Sequence, residues 1–398
     1  MKKILLVITS VILISTNFLS SEGYFISTSA DHTAKYWKIS DGTCILTFAN
    51  HSNQVACAAI SPDGFYALTG GVDSKLFYWD LRTGEIKLNI DHPGGVITDD
   101  INPEGTFCLS GGFSLNAYLW SLTDGSLIRV FVGHKDEIET VVFSPDGQYM
   151  LSGSWITEKA IKYWRVSDGA CIRTFTGNDG AIRKLDFSLD GYHFISGSND
   201  MKLKYWRVDN GMNVTIYRYD NTVGALCFNP KDNNYILAGS YSGEIKYWKW
   251  PERSCILTFN HGSSCNSLDF SPDGKYAISG GSDNNIKFWD MSNGTCLRTF
   301  SGHTQPVTCV KINPVNFTGF NNYNSSSSLP SHSLSISPNP FSSRLSLSLL
   351  SSGSIYSLAG QLIMKLDKGK HSLDTSKWRE GVYIVKAGKE CKKIVKIK

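Results

Sequence analysis

Histidine, a hydroxyl, a carboxylate and an indole recur in this 398-residue chain at fixed intervals. His51, Thr69, Asp73 and Trp79 form one set, and His261, Ser279, Asp283 and Trp289 repeat its spacing of 18, 4 and 6 residues. Ser27, Asp31 and Trp37 keep the inner spacing but have no His upstream; the matching residue is His303, near the far end. Imidazole beside a carboxylate and a hydroxyl has the composition of a nucleophilic triad, but a triad is a single constellation judged by its geometry. Three copies in phase point instead to a buried hydrogen-bond network that orders turns. The ten cysteines follow the same periodicity. Cys44, Cys171, Cys255 and Cys296 share one position (GTCILTF, GACIRTF, RSCILTF, GTCLRTF), and Cys57, Cys227 and Cys309 share another. Equivalent positions in separate repeats are too far apart to bridge in common, since a disulfide needs Cα atoms roughly 4.4–6.8 Å apart. Most of these thiols are therefore expected to be small buried apolar groups. No CxxC pair suggests zinc, and the Asp of the recurring Ser-Pro-Asp-Gly turns lacks the ladder of oxygens that calcium needs. No phosphate-cradling or dinucleotide motif occurs, so neither a metal nor a cofactor is expected.

The elements that must position these groups follow from seven tryptophans, Trp37, Trp79, Trp120, Trp164, Trp206, Trp248 and Trp289, spaced by 42, 41, 44, 42, 42 and 41 residues. Each follows Tyr, Phe or Leu at the end of a short alternating run. Four such runs per unit, separated by Gly, Asp, Asn and Pro, predict four strands, a to d, and the period is that of a propeller blade. These residues resemble the WD-repeat family, with Trp-Asp kept at Trp79-Asp80 and Trp289-Asp290 and Gly-His at Gly133-His134 and Gly302-His303. The resemblance implies an all-β, seven-bladed propeller over residues 22–318 and, within its blades, the His, Ser/Thr, Asp and Trp sets named above. The first copy starts directly with strand b, whereas Val307 to Asn313 reads as a strand a with no blade behind it. Pairing the two completes the ring and leaves no open sheet edge.

Outside the repeats, Lys2 and Lys3 precede an apolar run that is too short for a confident span and reads as a secretory signal over residues 1–21. Residues 319–334 are Ser/Asn-rich and predict a linker. Residues 335–398 alternate again, as a small Ig-like β-sandwich would. Pro338, Asn339, Pro340 and Phe341, the run Ile355 to Ile363, Gly381 and Tyr383 within GVYIVK, and the basic terminus make this segment resemble the C-terminal sorting domain of type IX secretion. The resemblance implies passage across a bacterial outer membrane, with the secretion machinery as partner and release or tethering at the surface.

From Phe341 onward there are 12 Lys/Arg against 4 Asp/Glu, so the net +4 of the chain leaves −4 for everything before the tail. That balance argues against a nucleic-acid partner. A propeller carries function on its loops. The b–c turns mostly have a small residue or Asn before the turn Asp, but three copies carry Phe113, Trp155 and Tyr241, Trp155 within a short insertion. The expectation is an exported or surface scaffold, not an enzyme, that binds a protein or a glycan through these rings. The alternative is a hydrolase or carbohydrate-binding module acting at the central channel. Asp99, Asp100 and Glu137 form no recognisable catalytic set, and Glu139 has no evident acid partner.

Overall fold

The computed structural model describes residues 23–315 and the backbone of seven strands between 334 and 396. The signal segment and Pro338, Asn339, Pro340 and Phe341 lie outside the described residues. Residues 23–315 form seven antiparallel four-stranded sheets, with strands a to d in spatial order. Blade 2, for example, is Val55–Ile60, Tyr66–Gly71, Lys75–Asp80 and Ile86–Asp91. The small residues that end strand b have a packing role. A Cβ at Gly70 would lie 2.5 Å from Val96, and one at Gly280 would lie 2.6 Å from Val307, so blades 2 and 7 admit the inner strand of the next blade only because these sites lack a side chain. The apolar cores lie between neighbouring sheets. One joins Leu68 and Tyr78 of blade 2 to Val96 and Trp120 of blade 3, and another joins Ile278 and Phe288 of blade 7 to Phe25 and Trp37 of blade 1. No blade buries its faces alone, and the ring stabilises each through its neighbours.

Blade 1 takes its strand a, Val307–Ile312, from the far end of the domain and pairs it with Tyr24–Ser29, followed by Ala34–Lys38 and Cys44–Phe48. The register runs from Phe25↔Ile312 through Ser27↔Val310 to Ser29↔Val307. The Asn313 amide adds a bond to the Tyr24 carbonyl at 2.8 Å, and the Ala30 amide adds one to the Pro306 carbonyl at 3.0 Å. On one face of the ring lie the b–c turns and the d–a connections, on the other the a–b turns. In the latter, Ser61 donates to Asp63 at 2.6 Å, and Gly64 takes a φ of +73°, which favours glycine. The Ser-Pro-Asp-Gly aspartates thus order their own turns.

The tail, described by itself, has two antiparallel sheets. One orders Leu334–Ser337, Arg344–Leu349 and Gly369–Asp374, and the other Leu362–Leu366, Gly353–Ser357, Gly381–Ala387 and Glu390–Lys396. Gly381 opens its strand, and Tyr383 pairs with Ser357 and Ile394.

Candidate partner face and central channel

All three spaced sets come together in the structure. In blade 2, His51 Nδ1 lies 3.0 Å from Asp73 and Nε2 lies 3.0 Å from Thr69 Oγ1, which accepts the Trp79 indole N–H at 2.8 Å. In blade 7, His261 spans Ser279 at 2.7 Å and Asp283 at 3.1 Å, with Trp289 donating to Ser279 at 2.8 Å. In blade 1, His303 lies 2.8 Å from Ser27 and 2.9 Å from Asp31, and Trp37 donates to Ser27 at 2.8 Å. This last network joins side chains 276 residues apart across the closing blade. Burial pushes the pKa of each of the three histidines below its ordinary value, against the pull of its carboxylate, so the ring is held neutral and donates to Asp while accepting from the hydroxyl. Burial acts in the opposite direction on Asp31 and raises it, but hydrogen bonds from Thr33, Thr304 and His303 outweigh this and bring the pKa to about 2. The hydroxyl accepts the indole N–H and is fully buried, so the geometry is that of a structural relay.

Two further networks depart from the expected spacing. In blade 4 the insertion displaces the acid: His134 meets Glu158 at 2.6 Å and Ser152 at 2.6 Å, and Trp164 donates to Ser152 at 2.8 Å. Gly133-His134 was the available signal for it. In blade 6 a single phenol replaces both His and Ser: Tyr219 accepts the Trp248 indole N–H at 3.2 Å and donates to the Ala238 carbonyl at 3.1 Å. Blades 3 and 5 keep only the Ser–Trp bond, at Ser110–Trp120 and Ser196–Trp206, both 2.8 Å. His92 reaches the Gly94 carbonyl instead of an acid.

The three loop aromatics do not form one cluster. Phe113, 51% exposed, lies against the Gly94–Gly95 turn in blade 3. Trp155 and Tyr241 are half-buried and meet through a residue that sequence reasoning did not single out, Arg183, the second residue of strand a in blade 5. The Arg183 guanidinium stacks over the Trp155 ring at 4.4 Å and the Tyr241 ring at 5.8 Å, and donates to Glu139 at 2.6 Å and to Asn199 at 2.8 Å. Burial pushes the Glu139 carboxyl up, while Arg183 draws it down. Gly224 makes room for this arrangement, because a Cβ there would collide with the Tyr241 ring. The cluster rims a cavity of about 130 Å³ that leads down the axis between the inner strands, past Thr308 and Asn266 to Asp99 and Lys184.

The profile of the WD domain, G-beta repeat, matches residues 42–80, 125–165, 169–207, 253–290 and 294–317. The propeller is a WD-repeat domain. The longer stretches of this WD-repeat domain left unmatched are 23–41, with strands b and c of blade 1, and 81–124 and 208–252, which carry most of blades 3 and 6. A secretion system C-terminal sorting domain matches residues 335–397 and directs the chain to type IX secretion, at a bacterial surface or in the medium. Among curated proteins, the chain is 26% identical to nuclear distribution protein PAC1 of Coccidioides posadasii over 149 residues, 32% of each chain. It is 23% identical to periodic tryptophan protein 2 of Arabidopsis thaliana over 34% of this chain and 16% of that one. It is 44% identical to F-box/WD repeat-containing protein A of Dictyostelium discoideum over 16% and 5%. The chain thus spans a third or less of these relatives.

Below the rim, the inner strands of the WD-repeat ring carry charges in an uneven pattern. Asp100, Asp186 and Asp269 each accept a backbone N–H from the next blade, from Phe143 at 2.8 Å, Phe228 at 2.7 Å and Ile312 at 2.7 Å. Lys311 lies 3.7 Å from Asp269. Asp99 stands where the other six blades have Ala58, Val141, Leu185, Leu226, Leu268 and Val310, and neither of its oxygens has a hydrogen-bond partner among the described residues. One expectation is met in part. Five of the nine described cysteines, Cys57, Cys108, Cys227, Cys265 and Cys309, are buried, but Cys171, Cys255 and Cys296 are exposed and Cys44 half-buried, because their shared position lies at the start of strand d, the outer edge of each blade, where the first residues face solvent on both sides.

Proposed function

We propose that this chain is an exported binding scaffold whose WD-repeat ring engages a protein partner at the channel mouth, through Trp155, Tyr241 and Arg183, with Phe113 as an outlying contact. The observation that supports this most is the Arg183 cluster: a guanidinium within cation–π distance of two rings and anchored by Glu139, at a strand position where no other blade has an arginine. Aromatic and arginine side chains fixed at the centre of a face are the anchors that dominate protein interfaces, because little conformational entropy remains to be lost on binding. The WD-repeat family membership and the sorting tail are consistent with display at the surface or in the medium. A hydrolytic role gains nothing from this geometry, since Glu139 is tied to Arg183 and the other carboxylate lining the mouth, Asp99, lies deep in the channel. Glycan recognition by the same rings is the second reading. The test is capture from native cell-surface and medium extracts by the propeller with its tail, compared with Phe113→Ala/Trp155→Ala/Tyr241→Ala and with Arg183→Ala. Loss of one specific protein in both variants is expected. Capture that survives both variants would refute the assignment, and capture abolished by prior deglycosylation of the extract would move it to the glycan reading.

A further inference from the structure

The strongest feature not used by the proposed contact face is the lower half of the central channel, a second cavity of about 140 Å³ reached past Pro230 from the a–b side of the ring. Its charged lining is Asp99, Asp100, Asp186 and Asp269 against Lys184 and Lys311, and the ion pair between Lys311 and Asp269 leaves an excess of two negative charges. Three of these carboxylates have an evident structural use, since each ties its blade to the next through a backbone N–H. Asp99 has none. It is 8% exposed and lines both cavities, and both oxygens lack a partner among the described residues. The Cys57 thiol, whose hydrogen bond goes to the Gly70 carbonyl at 3.7 Å, lies beside Asp99 and draws its carboxyl down. A buried carboxylate left in this state opposes folding, a cost that the apolar residues in the other six blades avoid.

We infer that the lower channel is a binding site for an alkylammonium ion, its nitrogen seated against Asp99 and its methylenes against Val142, Leu226 and Phe228. An organic cation fits better than a metal ion for two reasons. Among the described residues no three His, Cys, Asp or Glu side chains converge as metal ligands, and the ring aspartates already spend an oxygen on the backbone. Val142, Leu226 and Phe228 line the wall between the carboxylates and give a short hydrocarbon chain apolar contacts that a hydrated metal ion does not use. Burial pushes Asp99 up to about 7, with Asp100 adding to the rise and the Cys57 thiol, Lys184 and Lys311 opposing it; the buried Cys108 thiol also faces it. Seating a cation there therefore expels a proton near neutral pH.

Calorimetric titration of the full chain with putrescine, and separately with N-acetyl-lysine methylamide, tests this inference. Saturable one-to-one binding is expected, tighter at pH 8 than at pH 6, at least tenfold weaker in Asp99→Asn and Asp99→Val, and severalfold tighter in Lys184→Met. Preference for putrescine would assign a free diamine, and preference for the lysine amide the side chain of a polypeptide. The absence of saturation, equal affinity in Asp99→Asn, or displacement by magnesium chloride at matched ionic strength would overturn the site. Asp99→Val is expected to melt no lower than the wild type, so loss of binding in that variant cannot be ascribed to unfolding. Putrescine binding does not require the aromatic rim, so Arg183→Ala, which tests the contact face, should leave it unchanged.

Discussion

The His–hydroxyl–Trp networks and the inner strand of blade 3 both bury polar groups, yet they differ in how the hydrogen bonds are closed. In blades 1, 2, 4 and 7 both imidazole nitrogens, the hydroxyl and the indole have partners, and the same solution is repeated around the ring. At Asp99 a carboxylate stands in an apolar row with no hydrogen-bond partner on either oxygen among the described residues, and no other blade has an acid at that position. A satisfied and repeated group is explained by folding alone. An unsatisfied and singular one weakens the fold, and sites of that kind are where function is to be sought.

Substitutions can break or sharpen this contrast. The largest effect should come from opening a closed network: His51→Ala strips Asp73 and Thr69 of a shared partner and leaves a void, and should cost about 3 kcal/mol in denaturant unfolding. A loss below about 0.5 kcal/mol would show that the network is dispensable. Next is Asp99→Val, which supplies the residue type found in other blades and should raise stability at pH 8 by about 1 kcal/mol. The pH dependence of the two regions should have opposite sign. The networked histidines are held below their ordinary value of 6.5, so the unfolded chain takes up protons first as the pH falls through that value, and stability drops on acidification. Asp99 is raised from 3.8 to about 7, so the unfolded chain releases its proton first; its penalty is absent below pH 4, grows through the window and is complete above 7. The advantage of Asp99→Val over the wild type should therefore vanish at low pH and reach a plateau at high pH; an advantage that does not change with pH would break the assignment. The smallest effect belongs to the exposed ring: Phe113→Ala should change stability by less than about 0.5 kcal/mol by thermal melting.

Most of the fold was legible in the sequence because a propeller writes its period directly: seven tryptophans in frame, one surplus inner strand at the far end and a missing one at the start. Three networks were legible because His, hydroxyl, acid and indole sit at fixed offsets on strands of fixed length. The fourth was not, because the insertion between Trp155 and Lys159 carries the acid to Glu158, and the blade 6 solution was not, because one tyrosine does the work of two residues. Arg183 escaped notice for a different reason. Its role depends on Glu139, Trp155 and Tyr241, which come from two other blades, and nothing along the chain marks a contact 44 or 58 residues away. The exposure of the outer cysteines is not legible from their repetition, because an edge strand repeats as faithfully as a core strand. In the tail, Leu334–Ser337 and Gly369–Asp374 are too short or too polar for alternation to show.

The closing blade also determines how the ring bears mechanical load. Phe25 and Ile312 pair at the same end of the antiparallel seam, so the two ends of the propeller leave it side by side. A pull that separates those ends would open the seam one pair at a time, as a zipper opens. A pull through the segment after Asn313 alone, resisted by drag on the body of the ring, acts along strand Val307–Ile312 and loads its five pairings together. The seam is therefore stiffer towards a load carried by the segment after Asn313 than towards one that parts the two ends.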